Sequence, residues 1–144
     1  MDGCVKENIM PNKYFGYKVR KPYKGEDDYF KNNPNVTGMA AEDDQIIFNP
    51  YSKNIDLDAV GKNEASRLWM RKKNIDPPFK LTEKQMEFFK GTPYENDPTA
   101  AKQSIIGRII SGDPSAQDVT PEQIGWADRI LQGLKQEESI RRYE

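Results

Sequence analysis

The feature that most constrains this chain is a set of helix-start signals that recur from residue 56 onward. The motif Thr-x-x-Gln occurs at Thr82 and again at Thr120, and it has the spacing of a capping box, in which both side chains satisfy free backbone N–H groups. Asp97 precedes Pro98, which suits the first helical position because its missing N–H would have no partner there. Asp56 is placed to cap a further helix. The four predicted helices cover residues 57–73, 82–90, 98–111 and 120–134.

The three longer predicted helices each carry apolar residues at helical spacing, which predicts one buried face per helix. In the first helix these residues are Leu57, Val60, Ala65, Leu68 and Trp69. In the third they are Ala101, Ile105, Ile106, Ile109 and Ile110, and in the fourth they are Ile124, Ala127, Ile130, Leu131 and Leu134. The charged tail, residues 135–144, is expected to fray or to dock on the body.

The two Thr-x-x-Gln motifs lie 38 residues apart, which raises the question of an internal repeat. The segments between and after them do not match each other. We therefore interpret them as two independent capping boxes rather than as a repeated unit.

Residues 38–49 have the pattern of a β-hairpin. The run Ile46-Ile47-Phe48 is β-branched and aromatic, the segment Glu42-Asp43-Asp44 is a polar turn, and Asn49-Pro50 ends the second strand. With four helices, this predicts a mainly α protein of small α+β type.

Residues 1–37 show neither helical nor strand periodicity. Prolines at positions 11, 22 and 34 interrupt regular structure, although a short helical turn fits residues 26–31. We predict an extended, irregular N-terminal arm over residues 1–37 and a single helical domain, beginning with the hairpin, over residues 38–144.

Composition limits the core and the available chemistry. Only 35% of the residues are hydrophobic and 31% are charged, so much of the chain must lie at a surface or against a partner. Histidine is absent, which excludes every Ser-His or Cys-His catalytic pair. The single cysteine, Cys4, forms no internal disulfide, so the fold needs no oxidising compartment.

The expected compartment follows from what the N-terminus lacks. Residues 1–3 show no basic and apolar blocks of a signal peptide, and the longest apolar runs are three residues, far short of a membrane span. The net charge of −1 directs the chain to neither nucleic acid nor anionic membrane. We expect a cytosolic protein, or one assembled from the cytosol, with no membrane partner.

Acidic and ion-pair motifs are candidates for reactive sites. The clusters at 27–28 and 42–44 could hold a divalent cation, but they also fit solvated turns. Asp56-x-Asp58 resembles a metal–nucleotide motif, and helix capping explains it as well. Glu64, Arg67 and Arg71 share a helix face, as a catalytic pair or a salt bridge would. We predict no catalytic residue, no cofactor and no metal, and therefore no enzymatic activity.

The best candidate for function is a basic and aromatic stretch around residues 13–24. Lysines beside tyrosines can bind phosphates and stack on bases, but an arm anchored on protein by aromatics has the same composition. The candidate partner-binding residues are Tyr14, Phe15, Tyr17, Lys18, Arg20, Lys21, Tyr23, Tyr29, Phe30, Tyr51 and Trp126.

An ordered set of short strings resembles a family of small uncharacterised proteins encoded by tailed bacteriophages. The resemblance covers roughly residues 12–134 and lies in Gly38-Met39-Ala40, Glu42-Asp43, Asn49-Pro50-Tyr51-Ser52, Asn63-Glu64-Ala65 with Arg67, Met70-Arg71, Ser111-Gly112-Asp113-Pro114-Ser115-Ala116 and Thr120-Pro121-Glu122-Gln123. It implies phage origin and a structural or accessory role, and it assigns no catalytic residue.

The sequence therefore predicts a virion-associated structural or accessory protein that binds capsid, portal or tail subunits in multiple copies through its aromatic arm. It would reside in the virion and, before assembly, in the host cytoplasm. The alternative is a non-structural phage factor that binds a host protein or nucleic acid.

Overall fold

A computed structural model describes residues 12–53 and 55–141, which form five α-helices, one short 3-10 helix and a small four-stranded sheet. This confirms the mainly α class with a small β component. In chain order the elements are β1 (Lys13–Tyr14), β2 (Tyr17–Arg20), α1 (Lys24–Asn32), β3 (Gly38–Ala40), β4 (Ile46–Phe48), α2 (Leu57–Lys72), α3 (Glu83–Phe89), the 3-10 helix (Pro93–Asn96), α4 (Pro98–Ser111) and α5 (Pro121–Arg141).

The predicted helices begin where their capping residues stand. The Asp56 carboxylate accepts a hydrogen bond from the N–H of Ala59 at 3.1 Å, and Asp97 does the same at the start of α4. Thr82 caps α3, and its box is completed by Gln85. At the other end of α4, Gly112 adopts the left-handed conformation with φ of 74°, which closes the helix as glycine typically does.

Helix α5 continues well past its expected end. The charged residues 135–141 extend the helix instead of fraying, and Lys73 forms an ion pair with Glu137 at 2.7 Å. The segment is rich in Lys, Gln and Glu, which are good helix formers, so it lengthens a helix that tertiary contacts have already nucleated.

The sheet has the strand order β1-β2-β4-β3. Strands β3 and β4 form the predicted antiparallel hairpin, with Met39 opposite Ile47. Strand β2 pairs in parallel with β4, where Val19 lies opposite Ile46. This parallel pairing joins residues far apart in sequence, so local sequence patterns do not predict it.

The expectation of an extended, irregular arm does not hold for residues 12–37. Strands β1 and β2 form a hairpin around Phe15 and Gly16, both with positive φ, as a two-residue type I′ turn requires. The turn lacks the usual Asn-Gly signature, so its sequence is not recognisable. Residues 24–32 form the full helix α1 rather than one turn, with Phe30 fully buried. Residues 1–11 of the predicted arm lie outside the described residues.

The core includes both of the predicted units. Tyr14 and Tyr17 from the first hairpin belong to the same buried cluster as Leu68 of α2, Ile105 of α4 and Leu134 of α5. A smaller cluster joins Phe30, Ala41 and Ile47 between α1 and the sheet. Residues 12–37 therefore form part of the folded body, because their aromatic side chains supply area that the apolar-poor remainder lacks.

Among residues 12–53 and 55–141, no helix combines the length and the apolar character needed to cross a lipid bilayer.

Candidate functional site

The predicted partner-binding residues separate into buried and exposed groups. Tyr14, Tyr17 and Phe30 are 7%, 4% and 0% exposed, so they cannot anchor a partner on this folded surface. Sequence alone does not separate these two cases, because large aromatics in an irregular segment fit an anchor and a core residue equally well. Phe15 and Trp126 are partly buried and pack against the core.

The three remaining tyrosines lie on or against helix α1. Tyr23 immediately precedes the helix, Tyr29 lies in its last turns, and the Tyr51 hydroxyl donates to Asp27 of the same helix at 2.8 Å. Their side chains are 63%, 46% and 39% exposed, respectively. We call Tyr23, Tyr29 and Tyr51 the α1 tyrosines. Three exposed tyrosines grouped around one nine-residue helix are a feature typical of binding surfaces.

Arg20, a predicted partner-binding residue, forms its hydrogen bonds with other residues of this chain. Its guanidinium donates to Glu26 at 2.8 Å and to Asp43 at 3.0 Å, and it stacks on the Tyr23 ring. The hydrogen bond with Glu26 raises the pKa of Arg20 and lowers that of Glu26. Arg20 therefore ties β2 to α1 and to the β3–β4 turn, whereas Lys18 and Lys21 are exposed.

A second feature is a polar cleft of about 720 Å³ bordered by β3, α2, the 3-10 helix and α4. We call it the arginine cleft, because three arginines line it: Arg67 and Arg71 from α2 and Arg108 from α4. The other charged residues in its lining are Glu64 and Asp113. Tyr29 borders the same cleft, so the two features adjoin each other.

Neutral groups hold two of these arginines in place. Arg67 donates to the Tyr94 hydroxyl of the 3-10 helix, and Arg71 donates to the carbonyl oxygens of Ala40 and Ala41, at 3.2 and 2.6 Å. These bonds fix the side chains without cancelling their positive charge. A fixed guanidinium retains donors in a planar fork that matches a carboxylate or phosphate group.

Arg108 is held by Ser104 and Ser115 at 3.1 and 2.5 Å, and Asp113 approaches it to 3.7 Å. The negative charge of Asp113 therefore offsets part of the positive charge of Arg108. Because Arg108 and Tyr94 come from elements distant in sequence from α2, sequence spacing could identify only Glu64, Arg67 and Arg71 as neighbours.

Glu64 lies at the buried side of this cleft. It is 4% exposed, and its Oε1 atom lies 3.5 Å from Arg67 Nη1 without forming a hydrogen bond among the described residues. Burial raises the pKa of the Glu64 carboxyl, and this effect outweighs the opposing influence of Arg67, Arg108 and Arg71.

Asn63 adds a second buried acceptor beside Glu64. Its Oδ1 atom has no hydrogen-bond partner among the described residues, and it lies where a side chain at Gly107 would stand. Glycine at position 107 thus allows α4 to approach α2 closely at the cleft.

The acidic clusters weighed as metal sites have structural roles instead. Asp43 pairs with Arg20, Asp56 caps α2, and Asp58 pairs with Lys62 at 2.8 Å. Within residues 12–53 and 55–141, no group of three or more His, Cys, Asp or Glu side chains is arranged to hold a metal ion.

Comparison with protein-family models, curated proteins and solved structures finds no match to this chain. The resemblance to tailed-phage proteins therefore stays a prediction.

Proposed function

We propose that this chain is a non-enzymatic structural or accessory protein of a tailed-phage virion, and that it binds a capsid, portal or tail subunit through the α1 tyrosines. The observation that carries the binding surface is the exposure of Tyr23, Tyr29 and Tyr51 on or against one short helix. The class of partner comes from the ordered strings that resemble tailed-phage proteins.

Tyrosine suits this role because a single side chain supplies apolar area and a polar tip at a low entropy cost of immobilisation. The three rings are held by their surroundings: Arg20 stacks on Tyr23, Tyr29 contacts Phe30, and Tyr51 is bonded to Asp27. A surface that is already ordered loses little further freedom when a partner binds.

The first experiment is quantitative mass spectrometry of purified, nuclease-treated particles of the phage that encodes the chain. We expect a reproducible copy number that matches the symmetry of the tail, portal or capsid. Absence from particles, with abundance in infected cells, would remove the virion role and direct attention to a host partner.

A second experiment tests the surface itself. The double variant Tyr23→Ser/Tyr29→Ser should lower incorporation into particles, because it removes two exposed anchors without altering the buried core. Ile140→Ser is the matched control, since Ile140 is 62% exposed at the far end of α5. Equal incorporation of both variants would show that the α1 tyrosines are not the contact surface.

A further inference from the structure

Beyond the proposed function, we propose that the arginine cleft is a binding site for a small organic phosphate monoester, held by Arg67, Arg71 and Arg108. Three arginines from two helices line one cavity, and the Glu64 carboxylate among them has a buried Oε1 atom that accepts no hydrogen bond from the described residues. This site is separate from the α1 tyrosines except at Tyr29, which borders both.

The charge of the cleft favours an anion. Its lining carries three arginines and two acidic residues, Glu64 and Asp113, which leave a formal net charge of +1. Two of the arginines, Arg71 and Arg67, have hydrogen bonds to neutral groups, so their guanidinium charges remain available to a ligand. A phosphate monoester carries close to two negative charges near neutral pH.

The hydrogen-bonding capacity of the cleft points to the same ligand. Each arginine has five N–H donors, more than it uses within the protein. The ligand must then present acceptors, which is what phosphate oxygens do.

The size of the cleft indicates an organic phosphate rather than the inorganic ion alone. Cavities of about 300–1,000 Å³ hold small organic molecules, and this one measures about 720 Å³. Its lining also includes Asn35, Thr37, Thr92 and Gln103, whose side chains can bond to hydroxyl groups of a ligand.

The test is isothermal titration calorimetry of the full chain at constant ionic strength with glucose 6-phosphate, inorganic phosphate, acetate and glucose. We expect saturable binding of both phosphates, stronger for glucose 6-phosphate, and none of glucose. Arg67→Gln and Arg108→Gln should each weaken phosphate binding about tenfold or more, because each removes a charged hydrogen bond. Arg129→Gln, which removes an exposed arginine on α5, should leave it unchanged.

Either of two results would overturn the proposal: acetate binding more tightly than phosphate, or an equal affinity for phosphate in the two cleft variants and the parent. Circular dichroism establishes that each variant is folded before its affinity is compared.

The influence of Glu64 is tested separately with sulfate, which is a dianion at pH 8. Glu64→Gln should bind sulfate more tightly than the parent at this pH, because it removes a negative charge from the lining that also holds Arg67, Arg71 and Arg108. Equal or weaker sulfate binding by Glu64→Gln would contradict the assignment of the anion to this part of the cleft.

Discussion

At the residue scale, two glycines decide where aromatic rings can pack on helices. The Tyr14 ring lies against Gly61 of α2, and the Trp69 ring of α2 lies against Gly133 of α5. A side chain at either glycine would overlap the ring. Gly125 of α5, by contrast, has open space around it. Glycine therefore favours stability at positions 61 and 133, where it makes room for a ring, and lowers it at position 125, where it only weakens the helix.

The first prediction compares alanine at two of these sites. Gly125→Ala should raise the free energy of unfolding by up to about 1 kcal/mol, because alanine is the better helix former. Gly61→Ala should lower it by about 1–3 kcal/mol despite the same propensity gain, because the methyl group displaces Tyr14 from the core. Urea unfolding measures both, and stabilisation by Gly61→Ala would show that Tyr14 is not packed there.

The second prediction concerns Glu64 and pH. Its pKa is raised in the fold relative to the unfolded chain, so the stability linked to its neutral form is complete below the ordinary glutamate pKa of about 4.3 and is lost as the pH rises through the folded value. Glu64→Gln should match the parent near pH 4 and exceed it in stability near pH 7. Unfolding curves at both pH values test this. A variant that is less stable than the parent at pH 7 but not at pH 4 would mean that attraction to the arginines lowers the pKa instead.

At the element scale, the two capping boxes are joined to each other. The side-chain amides of Gln85 and Gln123 exchange two hydrogen bonds of 2.8 Å, and both residues are buried. Each Oε1 also accepts the N–H of its own capping threonine, Thr82 or Thr120. One pair of side chains thus starts two helices and fixes α3 against α5.

A double-mutant cycle on this pair is the third prediction. Gln85→Ala and Gln123→Ala should each lower the free energy of unfolding by about 1–3 kcal/mol, because each leaves the N–H of its capping threonine without a partner and removes two hydrogen bonds from the other buried glutamine. The double variant should lose less than the sum, with a coupling of about 1 kcal/mol or more. If the losses in free energy of unfolding were additive, the two capping boxes would act independently, as the sequence predicts.

At the scale of the whole molecule, α2 is the element on which the fold is organised. It contacts β1, β3 and β4 on the sheet side and α4 and α5 on the helical side. The N-terminal hairpin completes this core, with Tyr14 packed edge-on against Phe48 at 6.1 Å. Stability of the helical part therefore depends on residues that an arm would have left free.

The fourth prediction tests that dependence. Tyr17→Ala should lower the free energy of unfolding by about 3 kcal/mol, because it empties a site that is 4% exposed. Tyr23→Ala is the matched control and should cost no more than about 1 kcal/mol, since this ring is 63% exposed and loses only its contact with Arg20. Thermal or urea unfolding measures both changes. If both variants lost equally little free energy of unfolding, the first hairpin would not contribute to the core and the expectation of an N-terminal arm would stand.

The sequence by itself determined the local features of this protein. Capping residues such as Asp56, Thr82 and Asp97 act within a few residues of chain, so helix starts can be predicted without tertiary information. The β3–β4 hairpin is also formed by residues close in sequence and can be predicted for the same reason. Part of the candidate site was visible for the same reason, because Glu64, Arg67 and Arg71 share one helix.

Only the tertiary structure decided which side chains are buried and which distant groups meet. Tyr17 and Tyr23 look alike in sequence, and the parallel pairing of β2 with β4 places one in the core and leaves the other exposed. Likewise, Arg108 reaches the cleft only because α4 packs on α2. Burial and convergence are sums over contacts between residues far apart in the chain, and a local pattern does not contain them.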